Sequence, residues 1–311
     1  MEKTYYNSFP DYCKHQYGRK LYRVALNAGM SCPNRDGTIG TGGCIFCDEG
    51  GSGDFSIRYD GQKLEQNDLI YNHKSCKPGD YIAYFQSFTN TYAPVERLEY
   101  LFDHALHDPL FGGIAIATRP DCLDEERISL LKRLKQKYPD KCFWVELGLQ
   151  TIHPSSSIFI RRGYPLSVFD ACVKQLVQAG IPFLVHLIVG LPNETQGMMI
   201  ESLRHVNQSG AWGIKLQLLH YLSDTDLGRM YMENPALFHV MSEEEYIDTI
   251  CRCITELRPD IVIHRLTGDG NGDHLLAPVW SRNKKHVLNQ IRHELKIRNW
   301  YQGCRYEERG D

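Results

Sequence analysis

Residues 21–26 read Leu-Tyr-Arg-Val-Ala-Leu, and residues 31–47 read Ser-Cys-Pro-Asn-Arg-Asp-Gly-Thr-Ile-Gly-Thr-Gly-Gly-Cys-Ile-Phe-Cys. The first is an apolar run of strand length, and the second is a glycine-rich loop that follows it directly and carries Cys32, Cys44 and Cys47. Its glycines let the loop fold back on itself, and a Cys-x-x-Cys pair with a third cysteine upstream can chelate a soft metal. Structural zinc is almost always four-coordinate, and the nearest candidate for a fourth ligand is the distant His73. Three ligands on a four-iron cluster leave one iron open to bind a substrate group. Spacing alone leaves three readings open: an iron-sulfur cluster, a zinc knuckle, or idle thiols.

Working outward, apolar runs alternate with helical stretches, the mark of repeated βα units and a mainly parallel sheet. Strands are expected at Leu21–Leu26, Tyr81–Phe85, Gly113–Thr118, Phe143–Leu149, Phe183–Val189, Ile214–His220 and Ile261–Leu266. Helices are expected at Val95–His107, Glu125–Lys137, Ser167–Ala179, Gln196–Asn207 and Ser242–Leu257. Gly180 stands where a helix C-terminal cap belongs, and Ser242 precedes three glutamates as an N-cap with an acidic first turn. Phe169, Val173, Leu176 and Val177 form the apolar stripe of a helix packed on a sheet.

The chain of 311 residues suits one α/β barrel with terminal extensions, divided as an N-terminal extension (1–20), a barrel (21–270) and a basic C-terminal extension (271–311). No stretch approaches the 18 or so apolar residues of a membrane span, and Met1 to Pro10 lacks the order of a signal peptide. A cytoplasmic location with no membrane partner is the expectation. Eleven cysteines, an odd number in a reducing compartment, do not suggest a disulfide framework. Cys122, Cys142 and Cys172 sit in or beside apolar segments as small hydrophobes, and Cys251 and Cys253, two apart on a helix, point away from each other. The net charge of −3 does not mark a nucleic-acid binder by bulk electrostatics, so any such surface is local.

Beside the cysteines stand Ala28 to Gly37, Phe85-Gln-Ser-Phe-Thr-Asn-Thr-Tyr92, Thr118-Arg-Pro-Asp121, Glu146-Leu-Gly-Leu-Gln150, Val189-Gly-Leu-Pro192 and Thr267-Gly-Asp-Gly270, most of them at strand ends. With Cys32-x11-Cys44-x2-Cys47 this set resembles the radical S-adenosylmethionine (SAM) superfamily, in its YhcC/YtqA-like group related to the radical-SAM subunit of Elongator. The usual motif has three residues between its first two cysteines, and the eleven found here restrict the likeness to the longer-loop branch. The resemblance implies a partial (β/α)6 barrel and a [4Fe-4S] cluster on Cys32, Cys44 and Cys47. It further implies S-adenosylmethionine lying across the carboxyl ends of the strands, cleaved to a 5'-deoxyadenosyl radical by an electron from a donor such as flavodoxin or ferredoxin.

The resemblance also distributes site roles. Gln86 and Ser87 occupy the place where the family contacts the methionine amino group, although the usual paired glycines are missing. Arg119 is a candidate partner for the SAM carboxylate, which a guanidinium binds bidentately. Glu146 and Gln150 share a strand face and either line the barrel interior, with Gln150 suited to a ribose hydroxyl, or form a buried, satisfied pair. Gly190 permits a close approach of backbone to adenine, and His186 on the same strand is a core residue or a weak candidate ligand. Asp269 and Trp280, after the last strand, either contact substrate or merely make a turn and cap the core.

Substrate is the least legible part. Residues Ser281 to Tyr306 carry Arg282, Lys284, Lys285, Arg292, Lys296, Arg298 and Arg305 around an apolar stripe of Leu288, Ile291 and Leu295, which predicts a docked helix with a basic outer face. Such a face is simply solvated, or it contacts RNA phosphates with Trp300 and Tyr301 stacking on an unpaired base. Lys14, His15, Arg19, Lys20 and Arg23, interleaved with Tyr12, Tyr17 and Tyr22, extend that expected surface. The Elongator relationship implies radical modification of the 5-substituent of a tRNA wobble uridine. The alternatives are a radical SAM enzyme acting on a small metabolite and a zinc-stabilised RNA-binding module.

Overall fold

The computed structural model describes residues 4–51, 56–65, 69, 76–268 and 272–307. Among them, eight parallel strands form one open sheet. The strands are β1 (Tyr22–Asn27), β2 (Ile57–Arg58), β3 (Tyr81–Phe85), β4 (Phe111–Thr118), β5 (Cys142–Gln150), β6 (Phe183–Val189), β7 (Gly213–Leu218) and β9 (Val262–Arg265). Their order is β2-β1-β3-β4-β5-β6-β7-β9, and the short strands β8 (Tyr221–Leu222) and β10 (Leu275–Ala277) pair separately and antiparallel. After β1, sequence order and spatial order coincide from β3 to β7, as successive βα units require.

The helices on the outer face are α2 (Val95–His107), α3 (Glu125–Lys137), α5 (Leu166–Gln178), α6 (Gln196–Gln208) and α8 (Glu243–Glu256), each within a residue of its expected bounds. Phe169, Val173 and Leu176 of α5 are buried, but Val177 is exposed. Eight positions past Phe169 at 100° per residue it has rotated about 80° off the stripe, and Cys172 fills the core position instead. Gly180 adopts the left-handed φ of 64° just after α5, and Ser242 and Glu245 form a reciprocal capping box on α8. The expected strand Ile214–His220 ends at Leu218, so His220 lies on the loop beyond it.

The inner face has its own floor. Helix α1 (Phe9–Tyr17) lies in the segment expected to be an extension, capped by Ser8, which accepts from the Asp11 amide. Its Phe9 and Cys13 are buried with Ile82, Tyr84, Ala115, Trp144, Leu184 and Val262, drawn from five different strands. The Phe9 ring lies 5.7 Å edge-on from Trp144 and stacks on His264 at 4.4 Å. Helix α1 therefore plugs one end of the partial barrel. Tyr12 packs edge-on to Trp212 at 5.2 Å, so it is not held out as a stacking platform.

Two short helices, α4 (Pro154–Phe159) and α7 (Asp226–Glu233), lie outside the expected elements. The C-terminal helix α9 (Lys284–Ile297) docks through Val287, Ile291 and Leu295. Part of its cationic surface is already engaged: Arg298 is paired with Asp248 and Glu294. The Trp300 ring lies 4.9 Å from the Arg298 guanidinium and 4.3 Å from that of Arg305. Trp300 is thus a cation-covered packing residue, not the open base-stacking platform expected; Tyr301, half exposed, remains at the surface. Among the described residues, no helix is long and apolar enough to cross a membrane.

Candidate functional site: a cavity between the cysteine loop and a charged floor

A cavity of about 840 Å³ opens inside the barrel, and Cys32, Cys44 and Cys47 all line it. The cysteine loop is shaped by its own backbone and by Arg35. The amides of Arg35 and Asp36 donate to the Cys32 carbonyl at 2.8 and 3.2 Å, and the Cys47 amide donates to the Cys44 carbonyl at 3.0 Å. The Arg35 guanidinium donates to the Cys47 carbonyl at 3.1 Å and to the Asp48 carbonyl, which draws the two ends of the loop together. Gly43 (φ 73°) passes so close that an added Cβ would meet Arg35 Nε at 2.9 Å. Gly51 (φ 63°) would likewise strike the Phe88 ring at 2.5 Å, and the Phe88 amide donates to its carbonyl at 3.2 Å. The loop is thereby fixed against the end of β3.

Burial pushes the Cys47 thiol up to about 12, aided by the neighbouring Cys44 and opposed by Arg35. Burial also raises Cys44, against the pull of Arg119 and an amide N–H of Asn34, 3.5 Å from its sulfur. Thiolates are the ligating form, so loading a metal here must expel protons. Among the described residues, no three Cys, His, Asp or Glu side chains converge closely enough to hold one metal ion. Three thiols spread around a shared cavity suit a multi-iron cluster, in which each thiolate takes its own iron.

Gln86, Arg119, Glu146 and Gln150 share the cavity wall with the cysteines. The Arg119 fork is bidentate to Asp121 at 2.9 and 2.7 Å, and its third nitrogen donates to the Arg162 carbonyl at 2.9 Å. Burial lowers its proton affinity, but the Asp121 pair outweighs that and holds it above the usual value. Arg119 therefore reaches the cavity with the outer N–H groups of a guanidinium already positioned by a carboxylate. Gln150 adopts a left-handed φ of 63°, where β5 slips register against β6 between Gly148 and Gln150. Its amide, turned to donate, bonds the carbonyls of Leu149 (3.0 Å) and Gly148 (3.1 Å).

Three other sequence candidates are not on this wall. Ser87 is buried, with its hydroxyl 3.0 Å from that of Ser56. Gly190 (φ 90°) faces Met241, whose sulfur an added Cβ would meet at 3.1 Å. Trp280 donates from its indole to the Met241 carbonyl at 3.0 Å and packs 5.4 Å from Tyr246. Asp269 lies outside the described residues.

The other end of the cavity is a charged floor directly above the plug. Glu146 is fully buried, and its carboxylate accepts from Tyr84 Oη (2.8 Å), Trp144 Nε1 (3.0 Å), His186 Nε2 (2.8 Å) and the Lys215 ammonium. The Arg23 guanidinium stands 4.0 Å from it. Burial pushes this carboxyl up, but Lys215, the His186 bond and Arg23 together hold it well below the carboxylate range. Burial holds the Lys215 ammonium below its ordinary value despite Glu146. Burial and the Lys215 charge lower His186 to about 4, so the imidazole is neutral; it donates from Nε2 and its Nδ1 accepts from Gln217 at 3.4 Å. Hence Glu146 and His186 are both satisfied core residues and cavity residues, two readings the sequence had opposed.

Sequence reasoning missed Arg23, Tyr84, Lys215, Gln217 and Arg265, all on the same wall. The signal was available: Lys215 and Gln217 alternate inside the apolar run of β7 just as Glu146 interrupts β5. A charged residue inside a buried parallel strand needs a partner, and Lys215 meets that rule as Glu146 does. Arg23, expected on a basic surface, instead lies over the Phe9 ring at 4.6 Å inside the barrel.

Residues 35–206 match the Radical SAM superfamily and residues 211–297 match the Radical SAM C-terminal domain. The uncharacterized protein YtqA of Bacillus subtilis (strain 168) is 39% identical over 300 residues, covering 96% of this chain and 92% of that protein. Protein YhcC of Escherichia coli (strain K12) is 32% identical over 281 residues, covering 89% and 88%. Among solved structures, the archaeal Elp3 of Methanocaldococcus infernus, with its N-terminus deleted (1–46), superposes with a TM-score of 0.68 at 15% identity. The match covers 91% of this chain and 65% of that one, a likeness of fold.

Proposed function

Because this chain belongs to the radical SAM superfamily, whose members bind a [4Fe-4S] cluster and S-adenosylmethionine, we propose that it uses both to modify the 5-substituent of a tRNA wobble uridine. The observation that carries this reading is the composition of one cavity. It holds three cysteines, polar groups at the carboxyl ends of the strands, and Arg282 and Lys284 from the C-terminal segment. Cys32, Cys44 and Cys47 are the residues that would hold the cluster. Held there and reduced by a donor such as flavodoxin or ferredoxin, the cluster would supply the electron for cleavage of S-adenosylmethionine to methionine and a 5'-deoxyadenosyl radical.

The protein's own work is positioning and exclusion. Asp121 fixes the Arg119 fork so that its outer N–H groups face the cavity, suited to a carboxylate. Gln86 and Gln150 offer amides at the ends of β3 and β5. Beneath the floor, helix α1 packs Phe9 and Cys13 against Tyr84 and Trp144 in one buried apolar cluster. Arg282 and Lys284 support the RNA half of the reading: they put positive charge on the cavity wall, where a phosphate backbone would run while one base reaches inward. The resemblance to the Elongator subunit points to the same substrate.

The test is anaerobic. Protein reconstituted with iron and sulfide is reduced and given S-adenosylmethionine with and without tRNA, and 5'-deoxyadenosine is quantified beside a Cys47→Ala control. Cluster-dependent 5'-deoxyadenosine that rises with tRNA is the expected result. None at all would overturn the radical reaction, and a yield indifferent to tRNA would overturn the RNA substrate.

A further inference from the structure

Lys215 is a buried primary amine for which the reaction outlined above has no use. It stands mid-strand on β7, in register with His186 of β6, and its side chain is 3% exposed. It lines the same cavity as the three cysteines, and the exposed Arg282 lines it too, so the space before the amine reaches solvent. Charge balance alone does not require this lysine. The Glu146 carboxylate also accepts from Tyr84, Trp144 and His186 at 2.8, 3.0 and 2.8 Å, with the Arg23 guanidinium 4.0 Å away. When Lys215 gives up its proton, Glu146 therefore keeps three hydrogen-bond donors and one positive charge. Burial holds the Lys215 ammonium below its ordinary value, with Glu146 opposing that shift and Arg23 reinforcing it. A desolvated amine beside another cation reaches its neutral, nucleophilic form more readily than an exposed one. Tyr84 completes the group: its Oη lies 3.0 Å from the Lys215 nitrogen and donates to Glu146.

We propose that Lys215 captures a small aldehyde in this cavity as an imine, with Tyr84 relaying the proton. The amine nitrogen adds to the carbonyl carbon, and a proton passes from nitrogen to the carbonyl oxygen by way of the phenol. The carbinolamine then loses its hydroxyl group with one more proton as water. Aldehyde and amine thus give imine and water with no change of oxidation state, and hydrolysis reverses the step. Tyr84, Glu146 and His186 crowd the amine, which favours an aldehyde over a ketone, whose second substituent must also find room. The imine needs only the amine, the phenol and the cavity, so it rests on neither the cluster nor the tRNA reading.

The experiment uses reconstituted, unreduced protein at neutral pH, so that no radical forms. Formaldehyde or propionaldehyde is added with cyanoborohydride, which reduces an imine to a stable secondary amine, and the alkylated lysines are located and timed by peptide mass spectrometry. Lys215 is expected to label at least about tenfold faster than the exposed Lys14 and Lys63 with both aldehydes. The advantage should vanish in concentrated urea. In Tyr84→Phe the Lys215 rate should fall several-fold while those of Lys14 and Lys63 stay unchanged.

Labelling of Lys215 by formaldehyde no faster than that of Lys14 and Lys63 overturns the proposal. Rapid labelling by formaldehyde without any by propionaldehyde overturns it as well, because the cavity then admits no substituted carbonyl. An advantage that persists in urea would show that the fold is not its source, and an unchanged rate in Tyr84→Phe removes the phenol from the step. No electron is supplied, so a protein that forms no 5'-deoxyadenosine can still show the imine, and one that forms it can still lack the imine.

Discussion

The two ends of the cavity are built on opposite principles. The cysteine loop is local: seventeen residues from Ser31 to Cys47 carry all three thiols, and backbone hydrogen bonds with Arg35 set their positions. The floor is assembled from single side chains, Arg23, Tyr84, Glu146, His186, Lys215 and Arg265, on six different strands. The loop gains its purpose from an added metal, and backbone and Arg35 bonds shape it while the thiols themselves contribute little. The floor is already a tightly coupled network, where one deletion strands a buried charge. A site that depends on a ligand and a site that depends on the fold should therefore fail in different ways.

The largest effect is expected at the loop. Cys44→Ala should lower iron retention and 5'-deoxyadenosine formation at least ~100-fold, beyond the 10–100-fold typical of losing an outer-shell partner. The melting midpoint of the metal-free protein should scarcely move, because the Cys44 side chain is partly exposed and its bonds are weak ones to Asn34 and Arg161. Iron content and thermal unfolding, measured on the same preparation, decide it. A large fall in metal-free stability would break the contrast.

Glu146→Ala should show the reverse pattern. It leaves Lys215 buried without its partner and should destabilise the fold by about 3–5 kcal/mol, read from urea denaturation, while the folded fraction keeps its iron. The double variant Glu146→Gln/Lys215→Met should be less damaged than the two single changes added together, since the charges vanish as a pair. Additivity would mean that the floor is not a coupled network.

This contrast also explains what the sequence made legible. A loop motif is contiguous, so its thiols are visible in one line, and a helix such as Val95–His107 announces itself by a period that its own residues carry. The parallel strands are equally readable as apolar runs, and Tyr81–Phe85 and Phe183–Val189 have the bounds expected of them. The floor is encoded by single residues up to 242 positions apart, Arg23 to Arg265, and becomes a site only once register brings them together. Helix α1 was hidden for a related reason: its nine residues, Phe-Pro-Asp-Tyr-Cys-Lys-His-Gln-Tyr, bury just Phe9 and Cys13, too few to set a period. Ser87 and Gly190 are named by the resemblance and Trp280 by its place after the last strand, whereas their neighbours Ser56 and Met241 become visible only in the fold.

A smaller effect separates the two ends by pH. His186 is held near 4, and His264 well below the ordinary value of 6.5, in each case chiefly by burial. Both folded values are depressed, so between pH 6.5 and 4.5 the unfolded chain binds protons that the folded chain does not. Stability should accordingly fall as pH drops through that window, and His186→Asn should flatten part of the slope. A metal-free midpoint independent of pH between 6.5 and 4.5 would contradict the burial argument for the floor.

The smallest effect belongs to the rim, and it tests whether the exposed charges there meet RNA phosphates. Arg282 is exposed and Lys284 half-buried on the cavity wall, so their fields are screened by salt, unlike those of Arg23 and Lys215 below. If they meet RNA phosphates, Arg282→Gln and Lys284→Gln should each lower the slope of log affinity against log salt by about 1. The loss for tRNA should be a few-fold near physiological salt, whatever the tRNA sequence. Fluorescence anisotropy with labelled tRNA across a salt series gives the slope. An unchanged slope would remove the rim from the RNA reading.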